Sequence, residues 1–442
     1  MKPNSLLALF NNLRYSVGIA MLFNGFPIIF FIRDTLKIGP ASNVFSALFF
    51  ALALVLMVPA NLFVRIYKPN STLLKYALLF IGLCLYHFLI FNNSGVDSFV
   101  EIGNYVFIFG FFILILHVPN QVVDTLVPIL FLFAFFSNLT LIYSLMTNPE
   151  WKLGMRAAVT FANTDAVEGG NPHIPARNAI ISLLTALVLL SQFKNILIKA
   201  FLLASTLLSV AVIILAQVRS ALLAVGLMVA ILFFINANFS NLVKVSRKIF
   251  TLRTLLYIFI AYFLINLFFS RYGNIYSLLV GYWYTFQDKL MDVFFTAFGI
   301  KLSETASVDA SAMGRVTSFS FLSQAIYSPE LIFLGKGYKD SYLDVPIFET
   351  LVNHGILGFI FFAGFNYYLT IYSYKDLRNP ANRLTLFLAY FFIYLIVLLI
   401  SSGRPYDLSF WFPYVVMIRF MGIKYTSSPE KTEEHYTTQK AY

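Results

Sequence analysis

The sequence predicts an all-α, polytopic integral membrane protein with about twelve transmembrane helices. Three observations carry that expectation. Hydrophobic residues make up 59% of the 442-residue chain and charged residues only 12%, with a mean hydropathy of +0.79. The apolar residues gather in runs of roughly 17–25, the length that crosses a bilayer as a helix. The basic residues are divided unequally between alternate loops, as the positive-inside rule requires. A soluble domain runs near 45–50% apolar and about 25% charged, so soluble domains are excluded. Disorder and a collagen-like rod are excluded on the same grounds, and a single cysteine, Cys84, excludes an internal disulfide scaffold.

Twelve runs are placed in order, at 15–32, 43–64, 73–92, 100–118, 122–145, 177–193, 196–216, 220–237, 252–270, 350–373, 381–401 and 408–422. Lys2 and Arg14 precede the first, which lacks a small-x-small cleavage site and reads as a retained span. Gln217-Val218-Arg219 makes a tight turn between the seventh and eighth. With the N-terminus inside, the inner segments hold 18 of the 31 basic residues. Nine of the other 13 fall in two long outside loops, which weigh little in setting topology. Both termini are therefore expected in the cytoplasm. The net charge of +11 is then a set of anchors at the membrane face, not a nucleic-acid surface.

Four parts follow: helices one to nine over 1–270, a large outside loop over 271–349, helices ten to twelve over 350–424, and a polar tail over 425–442. A second outside loop spans 146–176 and carries His173. The apolar stretches of the large loop predict short helices lying on or dipping into the membrane surface. All three tryptophans, Trp151, Trp283 and Trp411, map to the outside face, as an interfacial belt predicts. Cys84 reads as lipid-facing or core packing.

Ionisable groups near membrane depth are costly and are read first as functional. Arg219 sits at the outer turn between two strongly apolar helices, where no anchor is needed, and a planar guanidinium there suits bidentate capture of phosphate. Arg315 lies in the large loop, Arg177 at the mouth of the sixth span and Arg404 at the start of the last. Arg404 either pairs with Asp407 or serves a ligand. Several arginines on one face would make an anion site. Gly335-Lys336-Gly337 permits close backbone approach, and Lys336 adds a cation. Asp344 and Glu349 crowd the approach to the tenth span, where a carboxylate either accepts a proton from a sugar hydroxyl or caps the helix. His173 is a candidate glycan contact, and His354 reads as packing inside the helix start.

The order of these parts resembles the O-antigen polymerase and O-antigen ligase superfamily of bacterial envelope enzymes. Arg219 to Leu223 matches its Arg-x-x-x-Leu at an outside turn. A large loop with an arginine and Gly-x-Gly follows, ending in Glu349 and Gly355-Ile356-Leu357-Gly358. The resemblance covers mainly 210–370. It implies a multi-pass protein of the bacterial inner membrane with a large periplasmic loop. It also implies a glycosyltransferase without metal or cofactor, acting on undecaprenyl-diphosphate-linked oligosaccharides, with a chain-length regulator as a partner in the bilayer and no nucleic acid. Ligases carry a histidine eleven residues before the Gly-x-x-Gly, where this chain has Asp344, and that departure favours a polymerase. The implied roles are pyrophosphate binding by Arg219 and Arg315, with Arg404, Arg177, Lys336 and His173 around the substrate. Asp344 or Glu349 is the implied base. The alternatives are a ligase that transfers glycan to lipid A-core, and a flippase of lipid-linked oligosaccharide, although the two related halves expected of a transporter are not evident.

Overall fold

Residues 3–39, 43–59, 66–91, 97–149, 151–152, 155–160, 170–236, 251–273 and 326–425 are described by the computed structural model, with scattered positions between 276 and 323. Apolar runs fold as helices because each N–H then finds a carbonyl within its own segment, a necessity where water is excluded. The order is α1 (Pro3–Asn24), α2 (Phe26–Phe30, continuing as a π turn over Phe31–Thr35), α3 (Asn43–Met57), α4 (Ser71–Ile90), α5 (Ser98–Ile115), α6 (Val123–Thr147), α7 (His173–Leu190), α8 (Ile196–Ala216), α9 (Arg219–Asn236), α10 (Leu252–Arg271), α11 (Pro329–Leu334), α12 (Pro346–Arg378), α13 (Arg383–Leu399) and α14 (Leu408–Phe420). Among the described residues, seven helices are long and apolar enough to cross a membrane, and α3, α9, α13 and α14 are shorter apolar helices. This is an all-α, membrane-embedded architecture.

Polar side chains set the helix starts. Asn70 accepts from the N–H groups of Thr72 and Leu73, Asp97 from Phe99 and Val100, and Asn195 from Leu197. Asn382 and Thr385 form a reciprocal capping box on α13. Gln217, in the left-handed region at φ 51°, closes α8 directly before α9, which is the tight turn expected there.

The core is built around α13 and α14. Every residue from Phe410 to Met421 is buried, and Phe rings from α1, α3, α4, α5 and α12 pack on this pair in edge, tilted and stacked contacts. The flanking helices instead expose large apolar side chains, such as Leu48 and Val55 on α3, Leu197 and Leu207 on α8 and Phe234 on α9. Such stripes suit contact with lipid rather than water. A buried polar ladder crosses the bundle from Asn24 to Asn178, Asn138 and Ser209, linking α1, α7, α6 and α8.

Three local expectations are corrected. The first run does not fold as one span over 15–32. Its helix begins at Pro3 and breaks at Gly25, where the Phe49 ring leaves no room for a Cβ and Pro27 starts a new turn. The tenth element is longer than 350–373 and is broken at Gly355. Trp411 is not part of an interfacial belt. It is 1% exposed, lies 6.0 Å from the Phe80 ring and donates its indole N–H to the Pro405 carbonyl at 2.9 Å. Other helices surround α14, so a protein carbonyl takes the place of a headgroup. Trp283 is 62% exposed.

Candidate functional site

The site begins with a broken helix. At Gly355 the backbone turns to φ 65° and ψ −166°, a region open essentially to glycine alone. The break strips the Val352 and Asn353 carbonyls of their helical partners. Lys336 N–H donates to Val352 O at 2.9 Å and Gly337 N–H to Asn353 O at 3.0 Å, so neither acceptor is orphaned. Gly335 at φ 73° and Gly337 at φ 115° make that approach feasible, since a Cβ on Gly335 would fall on the Asn353 carbonyl. α11 brings this loop in, and its Phe333 carbonyl lies against Gly355. The Gly-x-Gly and Gly-Ile-Leu-Gly motifs are thus two halves of one structure.

The segment before the break holds a buried ion pair. Arg404 Nε donates to Glu349 Oε1 at 2.7 Å, with the Glu349 side chain 0% and that of Arg404 21% exposed. Glu349 Oε2 accepts the Leu343 N–H at 3.2 Å, and Asn353 approaches Oε1 at 3.5 Å. Asn353 also donates to Ser341 O and to the Tyr406 hydroxyl. Arg404 Nη2 donates to Ser341 O at 3.0 Å, and the guanidinium lies 5.3 Å from the Tyr342 ring. Burial opposes its charge, but the Glu349 carboxylate more than reverses that and holds Arg404 above its ordinary pKa. Arg404 does not pair with the Asp407 side chain through its guanidinium. Asp407 Oδ2 instead accepts the Arg404 backbone N–H at 2.9 Å. Burial moves the Asp407 carboxyl above the usual carboxylate range.

A second ion pair buttresses the loop. Glu101, in the first turn of α5, accepts from Lys339 Nζ and, at 2.7 Å, from the Tyr338 hydroxyl. Tyr338 is 1% exposed. Tyr338→Phe should lower the melting temperature of the detergent-solubilised protein, at a cost of about 1–3 kcal/mol for a hydrogen bond withdrawn from a buried carboxylate. An unchanged melt would show that Lys339 alone anchors Glu101.

Beside the Arg404 turn opens a cleft of about 520 Å³, bounded by α1, α2, α7, α13, the start of α14 and the loop before α12. Much of its wall is apolar, including Phe23, Phe26, Phe30 and Leu398. His173, Arg177, Tyr342 and Asp407 are among its polar residues. Arg177 donates to the Ser409 and Phe23 carbonyls at 2.7 and 3.1 Å, and its Nε has no hydrogen-bond partner among the described residues. Among the described residues its charge is positioned by carbonyl dipoles, and no carboxylate pairs with it. The Tyr342 hydroxyl is pushed up to about 12 by burial and by the Asp344, Glu349 and Asp407 carboxylates. A two-residue pairing of β1 (Val159–Thr160) with β2 (Gly170–Asn171) leads into α7 beside the exposed His173, whose N–H is bonded to Asn171 Oδ1.

Of the residues singled out in the sequence, His173 and Arg177 line this cleft, and Arg404 stands beside it between the lining residues Gly403 and Asp407. Glu349 lies within the ion pair and does not line the cleft. Asp344 is partly buried, with its backbone N–H bonded to Ser318 Oγ at 3.0 Å, and does not line it either. Lys336 reaches over the Phe321 ring at 5.0 Å, away from the cleft lining. Arg219 is the first residue of α9, at the end of the bundle where α7 also begins, but it is not among the lining residues. Arg315 lies outside the described residues. His354 and Cys84 are buried in the core, with His354 Nδ1 2.6 Å from His87 Nδ1 and Nε2 3.5 Å from Cys84 Sγ. Among the described residues, no group of three His, Cys, Asp or Glu side chains is placed to hold a metal ion.

Sequence reasoning missed the cleft positions of Tyr342 and Asp407. The available signal was Asp407 at a helix start in a chain with few charges, but its role as partner of Arg404 obscured it. Compared with known proteins, the chain matches no family model and no curated protein.

Proposed function

We infer that the protein is a membrane glycosyltransferase that polymerises polyprenyl-diphosphate-linked oligosaccharide repeats into a surface polysaccharide, at the periplasmic face of a bacterial inner membrane crossed twelve times. One observation carries the reading beyond the motif order. A largely apolar cleft between membrane helices ends in an arginine whose charge no carboxylate among the described residues cancels. That shape suits an amphiphile, with hydrocarbon along the Phe walls and a diphosphate at Arg177. Arg404, neutralised by Glu349, holds the turn beside it, and Arg219 and Arg315 are the further cations of the matching motifs. Stabilising charge on the departing lipid diphosphate is the main catalytic demand of such a transfer, and fixed guanidinium groups meet it. Asp344 or Glu349, the bases of the matching motifs, or a carboxylate that lines the cleft would take the acceptor proton, and His173 would contact glycan.

Purified protein given defined undecaprenyl-diphosphate-linked repeats should produce a ladder of longer lipid-linked glycans. Arg177→Ala should lower kcat/KM for the lipid-linked donor by about ten- to a hundredfold, the worth of a charge-assisted contact. Product formed only after addition of lipid A-core would indicate a ligase instead. Transbilayer movement of lipid-linked sugar with no new bond would indicate a transporter.

A further inference from the structure

Among the described residues, Asp407 is the one carboxylate that lines the cleft. It stands at the start of α14 but makes no capping bond to that helix through its side chain. One of its oxygens is instead held by the Arg404 N–H at 2.9 Å, which fixes the carboxylate at the cleft wall. Ser409, just downstream, accepts from Arg177 at 2.7 Å, so a single short stretch positions both the acid and the cation of the cleft. Glu349 offers no such access. It is 0% exposed, and both of its oxygens are engaged by protein donors.

We propose that Asp407 is the catalytic base that accepts the proton of the acceptor sugar hydroxyl, and that Glu349 is a positioning residue acting through Arg404. The assignment rests on the polymerase reading of the cleft. In the step, the acceptor O–H gives its proton to the Asp407 carboxylate as the acceptor oxygen bonds to the anomeric carbon of the donor. The bond from that carbon to the diphosphate oxygen breaks, and its electron pair leaves with the lipid diphosphate facing Arg177. Protonated Asp407 then releases its proton to water at the open side of the cleft. The charged groups acting on Asp407 are Arg404 and Lys339, which favour its ionised form, and Glu101 and Glu349, which oppose it. Tyr342, Arg177 and His173 share the cleft. Burial outweighs the cations, so the acid limb of the rate profile should lie above that of an ordinary carboxylate.

The test uses the full chain in lipid nanodiscs with synthetic undecaprenyl-diphosphate-linked repeats. Asp407→Asn keeps an oxygen for the Arg404 N–H, so its melting temperature and its KM for the donor should match the wild type. Its kcat should fall by about 10²–10⁴-fold, and the acid limb should disappear. Asp407→Glu should recover part of the rate, whereas Arg177→Ala should lower kcat/KM and leave the acid limb in place. An Asp407→Asn enzyme with wild-type kcat and an intact acid limb overturns the assignment, as does the same loss appearing in Asp344→Asn instead. Failure of the wild type to extend the repeats overturns the polymerase reading itself, and with it the role of Asp407.

Discussion

Arg404→Ala is expected to destabilise the protein by roughly 3–5 kcal/mol, because it leaves the Glu349 charge buried without its cation. The carboxylate is fully enclosed, and its remaining donors, the Leu343 N–H and a long contact from Asn353, cannot replace a guanidinium. The change also removes the donor to the Ser341 carbonyl and the cation packed on Tyr342. Arg404→Lys should fall between the two, since an ammonium keeps the charge but not the fork that reaches both Glu349 and Ser341. The decisive comparison is the pair. If the loss comes from an unpaired buried charge, Arg404→Ala combined with Glu349→Ala should melt at a higher temperature than Arg404→Ala alone. Thermal melting in detergent reads this directly. A double variant destabilised by the full sum of the two single effects would mean that the two side chains act separately.

Gly355→Ala should be comparably severe for a different reason. The residue occupies φ 65°, ψ −166°, where an L side chain costs about 1–3 kcal/mol in backbone strain. An added Cβ would also fall on the Phe333 carbonyl of α11, and overpacking of this kind adds about 1–3 kcal/mol. Relief by straightening α12 would remove the carbonyls that hold Lys336 and Gly337. The same movement would shift Asn353 and Glu349, so the ion pair should loosen together with the fold. Gly82 on α4 provides the control. It is exposed, with nothing within 4 Å of an added Cβ, so Gly82→Ala should gain about 0.5–1 kcal/mol from helix propensity. Equal melting temperatures for Gly355→Ala and Gly82→Ala would refute the account of the kink.

Much of the helical plan was legible because it depends on local pattern. Apolar runs and the Gln217 turn are set by side chains within a few residues of one another. The Gly335 and Gly337 turn was legible as well, since positive φ is a property of glycine itself. What misled was sidedness on a buried helix. Trp411 lies near a helix end, where belts form, yet α14 is surrounded by protein, and no local signal distinguishes a central helix from a lipid-facing one. Arg404 and Asp407 are three residues apart, and their opposite charges suggested a local pair. The guanidinium instead crosses to Glu349, which meets it only because α12 and the turn before α14 are packed together.

The sequence by itself determined an all-α chain rich in membrane-length helices, with scarce charges. It could do so because burying backbone and charge has the same cost wherever a segment lies. Only the tertiary structure decided which of those charges meet. The cleft takes Phe23, His173 and Arg177, Tyr342, and Asp407 from four separated stretches, and whether a carboxylate is enclosed like Glu349 or faces open space like Asp407 depends on what packs around it. Such contacts are set by helix crossing and by one break at Gly355, neither of which is encoded within the few residues that carry the chemistry.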